Sequence, residues 1–326
     1  MGTRAVSNKI LAGLLAALGS AIFFGLNATA TKVLYAPGTP SHIDPLGLVT
    51  ARSLWTLPLF VLLALATRPR NAASTTRADL GWFLLSGICY GPATTGMYAL
   101  GVGHTSAAHA VLLLALAPVS ASILAVVFLH ERVQAIRIAA ITVGALGAAT
   151  LTFARSTSGA TPLGDALILI MVFSWGVMAL CLRVLNRSYP PLFVAGIMGA
   201  LGSLMLVGAG ATEHRLDAGV LPLQYHDLKT ILAFDLELVV LLSIAGQVLQ
   251  SVAIRILGVV PVAAITAYGS IFFGMVGSLG ILHEHLNGRG LLAGALLLIA
   301  LALALLPAGQ AATSAAMTDT ARAAES

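Results

Sequence analysis

The chain alternates between long apolar runs and short polar segments. Ten of the runs have about the 20 residues that an α-helix needs to cross a bilayer. They cover residues 11–34, 47–67, 80–101, 106–129, 136–154, 163–185, 191–212, 238–257, 260–282 and 289–308. The pattern predicts an all-α integral membrane protein with ten transmembrane helices. The small, polar segment 309–326 is predicted to be a disordered tail.

Composition and charge support a membrane protein and set its orientation. Hydrophobic residues make up 58% of the chain and charged residues 9%, whereas a soluble domain has about 25% charged residues. The net charge of +5 therefore does not indicate nucleic acid as a partner. With the N-terminus inside, 11 of the 17 Lys and Arg residues lie on the inner side and 6 on the outer side. Because cations accumulate on the cytoplasmic side, both termini are predicted to be cytoplasmic, in an inner or plasma membrane.

Two sequence signatures recur at nearly one spacing. "FLHERV" at Phe128–Val133 returns as "ILHEHL" at Ile281–Leu286, which places Glu131 and Glu284 at an offset of 153 (284 − 131). "FFGLNATATK" at 23–32 aligns with "SWGVMALCLR" at 174–183, at an offset of 151 (183 − 32). Such self-similarity indicates an internal duplication.

The duplication divides the chain into a first repeat over 1–155 and a second over 156–308. Five helices per repeat is an odd number, so the second copy is predicted to be inverted relative to the first. Inverted repeats are typical of secondary transporters, whose substrate site lies near the midplane between the halves. The N-terminal residues also have features of a cleavable signal peptide. Because they align with an internal segment, we expect them to be retained as helix 1.

These features together resemble the drug/metabolite transporter superfamily, and most closely its EamA-type members. The resemblance rests on the duplication, on "FFGLNATATK", on "HTSAAHAVLLLALAPVSASILAVVFLHERV" at 104–133 and on its counterpart "YGSIFFGMVGSLGILHEHL". It implies a ten-helix transporter without a catalytic activity. A carboxylate is unfavourable at the end of a helix and favourable at the start of the next. We therefore predict that Glu131 and Glu284 lie at the starts of helices 5 and 10.

Polar side chains inside the runs are the candidates for substrate contact, because each is costly in hydrocarbon. Predicted helix 8 carries Ser243, Gln247, Gln250 and Ser251 on one face, and helix 3 carries polar side chains at every fourth position beside Pro92, which is liable to kink it. The predicted substrate-binding residues are Asn27, Lys32, Tyr90, Thr94, Tyr98, His109, Trp175, Gln247, Gln250 and Tyr268.

Several of these residues have an alternative, structural interpretation. Asn27 is suited either to the site or to tying helix 1 to a neighbour. Lys32 and Arg52 lie near helix ends, where a cation either anchors the helix at the interface or attracts an anionic group. His109 is a candidate for proton coupling, or a hydrogen-bonded histidine of the core. The stripe Thr266, Ser270, Gly274 and Ser278 on helix 9 is predicted to serve close helix packing.

The predicted function is a secondary transporter for an amino acid or similar zwitterion, with export as its direction and weak or no proton coupling. The inner parts of the runs contain no Asp or Glu, which disfavours a cationic substrate. The alternative is a carrier of cationic amines that uses an aromatic cage of Tyr90, Tyr98, Trp175 and Tyr268. A membrane enzyme is disfavoured because HExxH and GxSxG motifs are missing. A sensor or scaffold is a third class. No cofactor or metal is predicted; the expected partners are the solute, membrane lipid and a second copy in a homodimer.

Overall fold

A computed structural model describes residues 2–34, 45–69, 76–105, 110, 113–131, 133–153, 161–212, 237–281 and 288–306. We number the helices within this part of the chain α1 to α10. They are α1 (Gly2–Leu34), α2 (Pro45–Ala66), α3 (77–104), α4 (Ala117–Leu129), α5 (Ala135–Phe153), α6 (Pro162–Leu185), α7 (Pro191–Thr212), α8 (Glu237–Leu257), α9 (Val259–Ile281) and α10 (Gly288–Leu305).

The all-helical prediction is confirmed for these residues. Five stretches are long and apolar enough to cross a membrane, namely Asn8–Asn27, Pro162–Leu185, Pro191–Ala211, Val259–Gly277 and Gly288–Leu305. The apolar stretches of α2, α4, α5 and α8 are shorter, at 10–17 residues. The full set of ten crossings therefore stays a prediction.

Two predicted helices are interrupted at prolines. Predicted helix 4 covered 106–129, but α4 begins at Ala117, after a turn at Ala115 and Leu116. Pro118 stands in its first turn, where the missing N–H of proline costs nothing. In α3 the segment Cys89–Gly96 around Pro92 is a π-helix. Segments of this kind occur frequently at functional sites.

The two halves pack on each other in a symmetric way. The first helix of each half lies along the third and fourth helices of the other half, α1 on α8 and α9, and α6 on α3 and α4. The second helices, α2 and α7, pack together, and so do the fifth, α5 and α10. Exchanging the halves leaves this pattern unchanged, which agrees with the duplication that the sequence predicts.

Glycines at corresponding positions allow these close contacts. A Cβ on Gly13 would lie 2.8 Å from atoms of Ile256 and Leu257 at the end of α8, and a Cβ on Gly164 would lie 2.5 Å from the His104 carbonyl oxygen at the end of α3. Gly13 and Gly164 are 151 residues apart (164 − 13), the offset of one of the two signatures. The same packing contact is therefore made in both halves.

Candidate functional site

Two glutamines in the middle of α8 have buried amide atoms without a hydrogen-bond partner. Gln247 is 2% exposed and Gln250 is fully buried. Within the described part of the chain, no group hydrogen-bonds the Nε2 of Gln247 or either polar atom of Gln250. A buried unsatisfied polar group costs about 1–3 kcal/mol, so such groups are rare and call for an explanation. A bound solute that supplies the missing partners is one.

The neighbours of the two glutamines along α8 are engaged by other helices. On the side of α1, Asn27 Nδ2 donates to Ser243 Oγ at 2.9 Å. On the other side, Ser251 Oγ donates to the Pro191 carbonyl oxygen at 3.0 Å. Along the axis of α8, Gln247 and Gln250 lie between these two contacts. The predicted polar face of helix 8 thus divides into packing serines and an inner amide pair.

Asn27 is one half of such a helix–helix contact. Its hydrogen bond to Ser243 joins α1 to α8, which is the structural interpretation that the sequence allowed for Asn27. A second bond beside it, from Ser20 Oγ to the Gly246 carbonyl oxygen at 2.8 Å, strengthens the same contact. These two bonds fix the rotation of α8, and with it the direction of the amide pair.

The π segment of α3 brings a further unsatisfied group. The hydroxyl oxygen of Thr94 is buried and has no hydrogen-bond partner in the described part of the chain. Its neighbour Thr95 donates instead to the Tyr90 carbonyl oxygen, at 2.8 Å. At this level α3 comes unusually close to α7, since a Cβ on Gly202 would lie 2.8 Å from the backbone nitrogen of Gly91. The close packing holds the irregular segment in place.

The aromatic candidates do not form a single group. The ring of Tyr90 packs edge-on against Phe60, with centroids 5.9 Å apart. Tyr98 and Trp175 are partly buried against one small apolar cluster of α4 and α6 residues and Ala110. Tyr268 is fully buried, and its hydroxyl donates to the carbonyl oxygens of Ala115 at 3.2 Å and Ile141 at 3.0 Å. Tyr268 therefore joins α9 to the start of α4 and to α5.

Arg52 on α2 is a cation beside two of the tyrosines. Its side chain is partly buried, and its positive charge acts on the phenols of both Tyr90 and Tyr98. Among the residues that the structure describes, no acidic side chain forms an ion pair with it. From the sequence, Arg52 was suited either to anchoring α2 at the membrane interface or to binding an anionic group. Both interpretations of Arg52 stay predictions.

Thr266 on α9 also has a buried hydroxyl without a partner in the described residues. Ser270 and Gly274 of the same stripe lie at the contact with α1, as the packing interpretation predicts. A Cβ on Gly25 of α1 would lie 2.8 Å from the Ser270 carbonyl oxygen and from the backbone nitrogen of Gly274. The side chain of Ser278 lies outside the described residues.

Two predicted site residues cannot be placed. His109 lies outside the described residues. Lys32 belongs to α1, but its side chain is outside the described part as well. Both stay predictions.

The predicted position of Glu131 is wrong. Instead of capping α5, its Oε2 accepts a hydrogen bond from the backbone N–H of Val259, the first residue of α9, at 3.2 Å. Its Oε1 lies 3.2 Å from Nε of Arg183. A free N–H at a helix start attracts a carboxylate, and the start of α9 in the other half is the one within reach. Glu284 lies outside the described residues.

The described carboxylates otherwise lie at helix starts. Asp79 forms a capping box with Thr76 at the start of α3 and accepts a hydrogen bond from Tyr189 at 3.1 Å. Asp165, in the first turn of α6, accepts one from the Thr105 hydroxyl at 2.5 Å. Within the described ranges, no three His, Cys, Asp or Glu side chains are grouped as a metal site would require.

Comparisons with known proteins agree with this architecture. The EamA-like transporter family matches the chain over residues 11–153 and 162–306, one match for each repeat. One solved crystal structure superposes with a TM-score of 0.65 at 17% sequence identity, covering 90% of this chain and 96% of its own. At that identity the similarity establishes a shared fold alone. A search among curated proteins finds no significant match.

Proposed function

The chain belongs to the EamA-like transporter family, and from this membership we propose that it moves a small amino-acid-like zwitterion across the membrane. It is a multi-pass membrane transporter of the drug/metabolite type. The proposal of a zwitterionic substrate rests on the amide pair, Gln247 and Gln250. Gln250 has a buried donor and a buried acceptor without a partner among the described residues, which is energetically unfavourable in a protein that binds nothing there.

The chemistry of the amide pair and of Arg52 is suited to a zwitterion. An amide donates to a carboxylate and accepts from an ammonium group. Arg52 adds a cation for the carboxylate, and Gln250 Oε1, which has no partner among the described residues, is suited to accept from the ammonium group. The proposed binding set is Arg52, Tyr90, Thr94, Tyr98, Trp175, Gln247 and Gln250, with Lys32 and His109 kept as predictions.

Cationic amines are the second candidate, and the aromatic arrangement supports them less well. An aromatic cage needs several ring faces around one point. Tyr90 packs against Phe60, and Tyr268 is fully buried with its hydroxyl bonded to the Ile141 carbonyl oxygen of α5, so neither ring is available to a shared cage. The charge of Arg52 beside Tyr98 also repels a cation.

The transport cycle that we propose is alternating access between the two halves, arranged as inverted repeats with both termini in the cytoplasm. The exchange-symmetric packing of α1 and α6 across the halves supports this arrangement. The runs contain no interior carboxylate to carry a coupling proton, so we propose that the solute moves down its own gradient, with weak or no proton coupling. For a metabolite made in the cell, that direction is export.

A ligand screen on the purified protein tests the proposal. A solute that binds the native state raises the melting temperature, so a set of amino acids, their decarboxylated amines, sugars and nucleosides separates the candidate classes. We expect stabilisation by amino acids and counterflow of the same compounds in proteoliposomes. Stabilisation and flux confined to quaternary amines would support the second candidate. Binding without flux in proteoliposomes would favour a sensor.

A further inference from the structure

Two opposite charges meet at the end of the bundle where α8 joins α9. Arg183 Nε and Glu131 Oε1 are 3.2 Å apart. Arg183 also donates from Nη1 to the carbonyl oxygens of Ile254 at 3.0 Å and Arg255 at 2.9 Å, in the last turn of α8. Glu131 Oε2 accepts from the Val259 N–H at 3.2 Å. Each charge therefore stabilises the helix end of opposite sign.

The joint between the two helices is a single residue. Only Gly258 separates Leu257 from Val259, and its φ is 90°, in the region that favours glycine. A Cβ at this position would lie 3.1 Å from both carboxylate oxygens of Glu131. The carboxylate thus rests directly on the backbone of the joint.

These contacts join the two halves at one end of the molecule. Glu131 lies two residues after the end of α4, in the first half, whereas Arg183 and the joint belong to the second half. At the same end the α6–α7 turn is tied by the bond from Asn186 Nδ2 to the Ser251 carbonyl oxygen, 2.9 Å long. Gln250 lies seven residues before Leu257, about 10 Å along the helix at 1.5 Å per residue. The charge cluster therefore stands between the unsatisfied amides and this face.

The ion pair between Arg183 and Glu131 is suited to repeated separation. The side chains of Arg183 and Glu131 are 28% and 19% exposed, although the two facing atoms, Nε and Oε1, are themselves buried. The contact between Nε and Oε1 is short but lacks hydrogen-bond geometry, so charge rather than alignment holds it. Because the facing atoms are buried, the cost of removing the two charges from water offsets much of their attraction, which suits a contact that must break repeatedly.

We propose that Glu131 and Arg183, clamped on the α8–α9 joint, form the gate on this face of the transporter. In the present conformation the gate is closed. To open it, Glu131 leaves the start of α9, Arg183 leaves the end of α8, and the joint pivots at Gly258. This role rests on the transport function proposed above and identifies two of its moving contacts.

Cysteine accessibility tests the gate without any solute. In a background lacking the two free cysteines, Cys89 and Cys181, a Gln250→Cys reporter is exposed to a membrane-impermeant maleimide in proteoliposomes. A second reporter, Arg187→Cys, identifies the face, because Arg187 is exposed in the α6–α7 turn. We expect the Arg187→Cys reporter to label rapidly and the Gln250→Cys reporter slowly from that face.

Neutralising the pair should open the path. If the closed state dominates, labelling follows the minor open population, and Glu131→Gln or Arg183→Gln should raise the rate at the Gln250→Cys reporter by about five- to tenfold. The matched control is Arg255→Gln, which removes a charge from an exposed side chain in the same turn of α8. It should leave the rate within about twofold of the parent.

Exchanging the two charges tests whether the gate depends on the helix ends of α8 and α9 or only on the ion pair between Glu131 and Arg183. In Glu131→Arg combined with Arg183→Glu, the pair is restored, but a guanidinium faces the start of α9 and a carboxylate faces the end of α8, both unfavourable. We expect labelling to stay fast. Renewed protection would show that the helix ends play no part and would overturn the proposed clamp.

Two other outcomes would overturn the gate. One is slow labelling in both Gln variants while the Arg187→Cys reporter still reacts, which shows folded protein. The other is equal acceleration by Arg255→Gln. Neither outcome bears on the transport proposal. That proposal is tested by flux in proteoliposomes of the parent protein and would be contradicted if no flux were found.

Discussion

Replacing Gln250 by methionine should make the substrate-free protein more stable and at the same time inactive. Methionine has a similar shape and no strong hydrogen-bonding group. Gln250 is fully buried, and neither its Nε2 nor its Oε1 has a partner among the described residues. Each unsatisfied atom costs about 1–3 kcal/mol. Partial relaxation of the site reduces the gain, so we expect the unfolding free energy to rise by about 1–2 kcal/mol.

The assay is a thermal melt in detergent beside flux in proteoliposomes. A gain of this size should raise the melting temperature by about 2–4 °C. Flux of the stabilising amino acid should fall at least about tenfold, since one lost hydrogen bond to a charged group is worth about 1.5–3 kcal/mol. Ligand-induced stabilisation should shrink together with the flux.

Thr56→Val is the matched control, because it also replaces a buried polar side chain by an apolar one of the same shape. The hydroxyl of Thr56 is hydrogen-bonded to that of Ser203 at 3.0 Å. The change leaves Ser203 without this partner, so the melting temperature should fall while flux persists. A Gln250→Met variant that melts lower than the parent and keeps its flux would refute the argument, because the amide would then be a satisfied structural group.

Three further predictions concern other parts of the molecule. Arg52→Gln should weaken binding of amino acids by about 10–100-fold but spare their decarboxylated amines; equal losses for both classes, measured by thermal shift, would contradict a carboxylate contact. Gly202→Ala should lower stability by about 1–3 kcal/mol, because the new methyl group would meet the Gly91 backbone and the Tyr90 ring, whereas Gly208→Ala on the same helix meets nothing within 4 Å and should melt like the parent. The Thr76 N–H and hydroxyl lower the pKa of Asp79. The ionised carboxylate therefore stabilises the fold above the ordinary carboxyl pKa, and this stabilisation is lost as pH falls through the lowered pKa. Asp79→Asn should make the melting temperature depend less on pH between pH 3 and pH 5, a range of about one unit around the ordinary pKa.

The sequence predicted the helices and the amide pair because both depend on local pattern. Apolar runs fix where helices form, and the spacing of Gln247 and Gln250 fixes that they share a face. What the pattern could not distinguish was which polar residues find a partner. Ser243 and Ser251 lie on nearly the same face as the glutamines, yet they are bonded to Asn27 and to Pro191. That difference arises from the neighbouring helices and not from α8.

Glu131 was misplaced for a related reason. A helix-dipole argument shows that a carboxylate seeks a helix start, but the sequence offers only the next helix along the chain as a candidate. In the folded bundle the start of α9, 128 residues away, is the nearer one. The duplication brings it there, because the fourth helices of the two halves, α4 and α9, pack together. Capping across the halves is thus a property of the fold.

The duplication also bears on the shape of the solute. A third, looser alignment pairs "YALGVGHTSAAHA" at 98–110 with "VAIRILGVVPVAA" at 252–264, at an offset of 154 (252 − 98). With this offset Gln250 corresponds to Gly96 and Gln247 to Ala93, while Thr94 corresponds to Val248 and Tyr98 to Val252. Each of these four polar side chains therefore has an apolar or small counterpart in the other half. The two halves share a backbone plan but present different chemistry, amides from α8 and hydroxyls from α3. A solute with two chemically different ends, such as an ammonium and a carboxylate group, can satisfy both halves in one orientation, whereas a solute with two identical ends would leave one half unsatisfied.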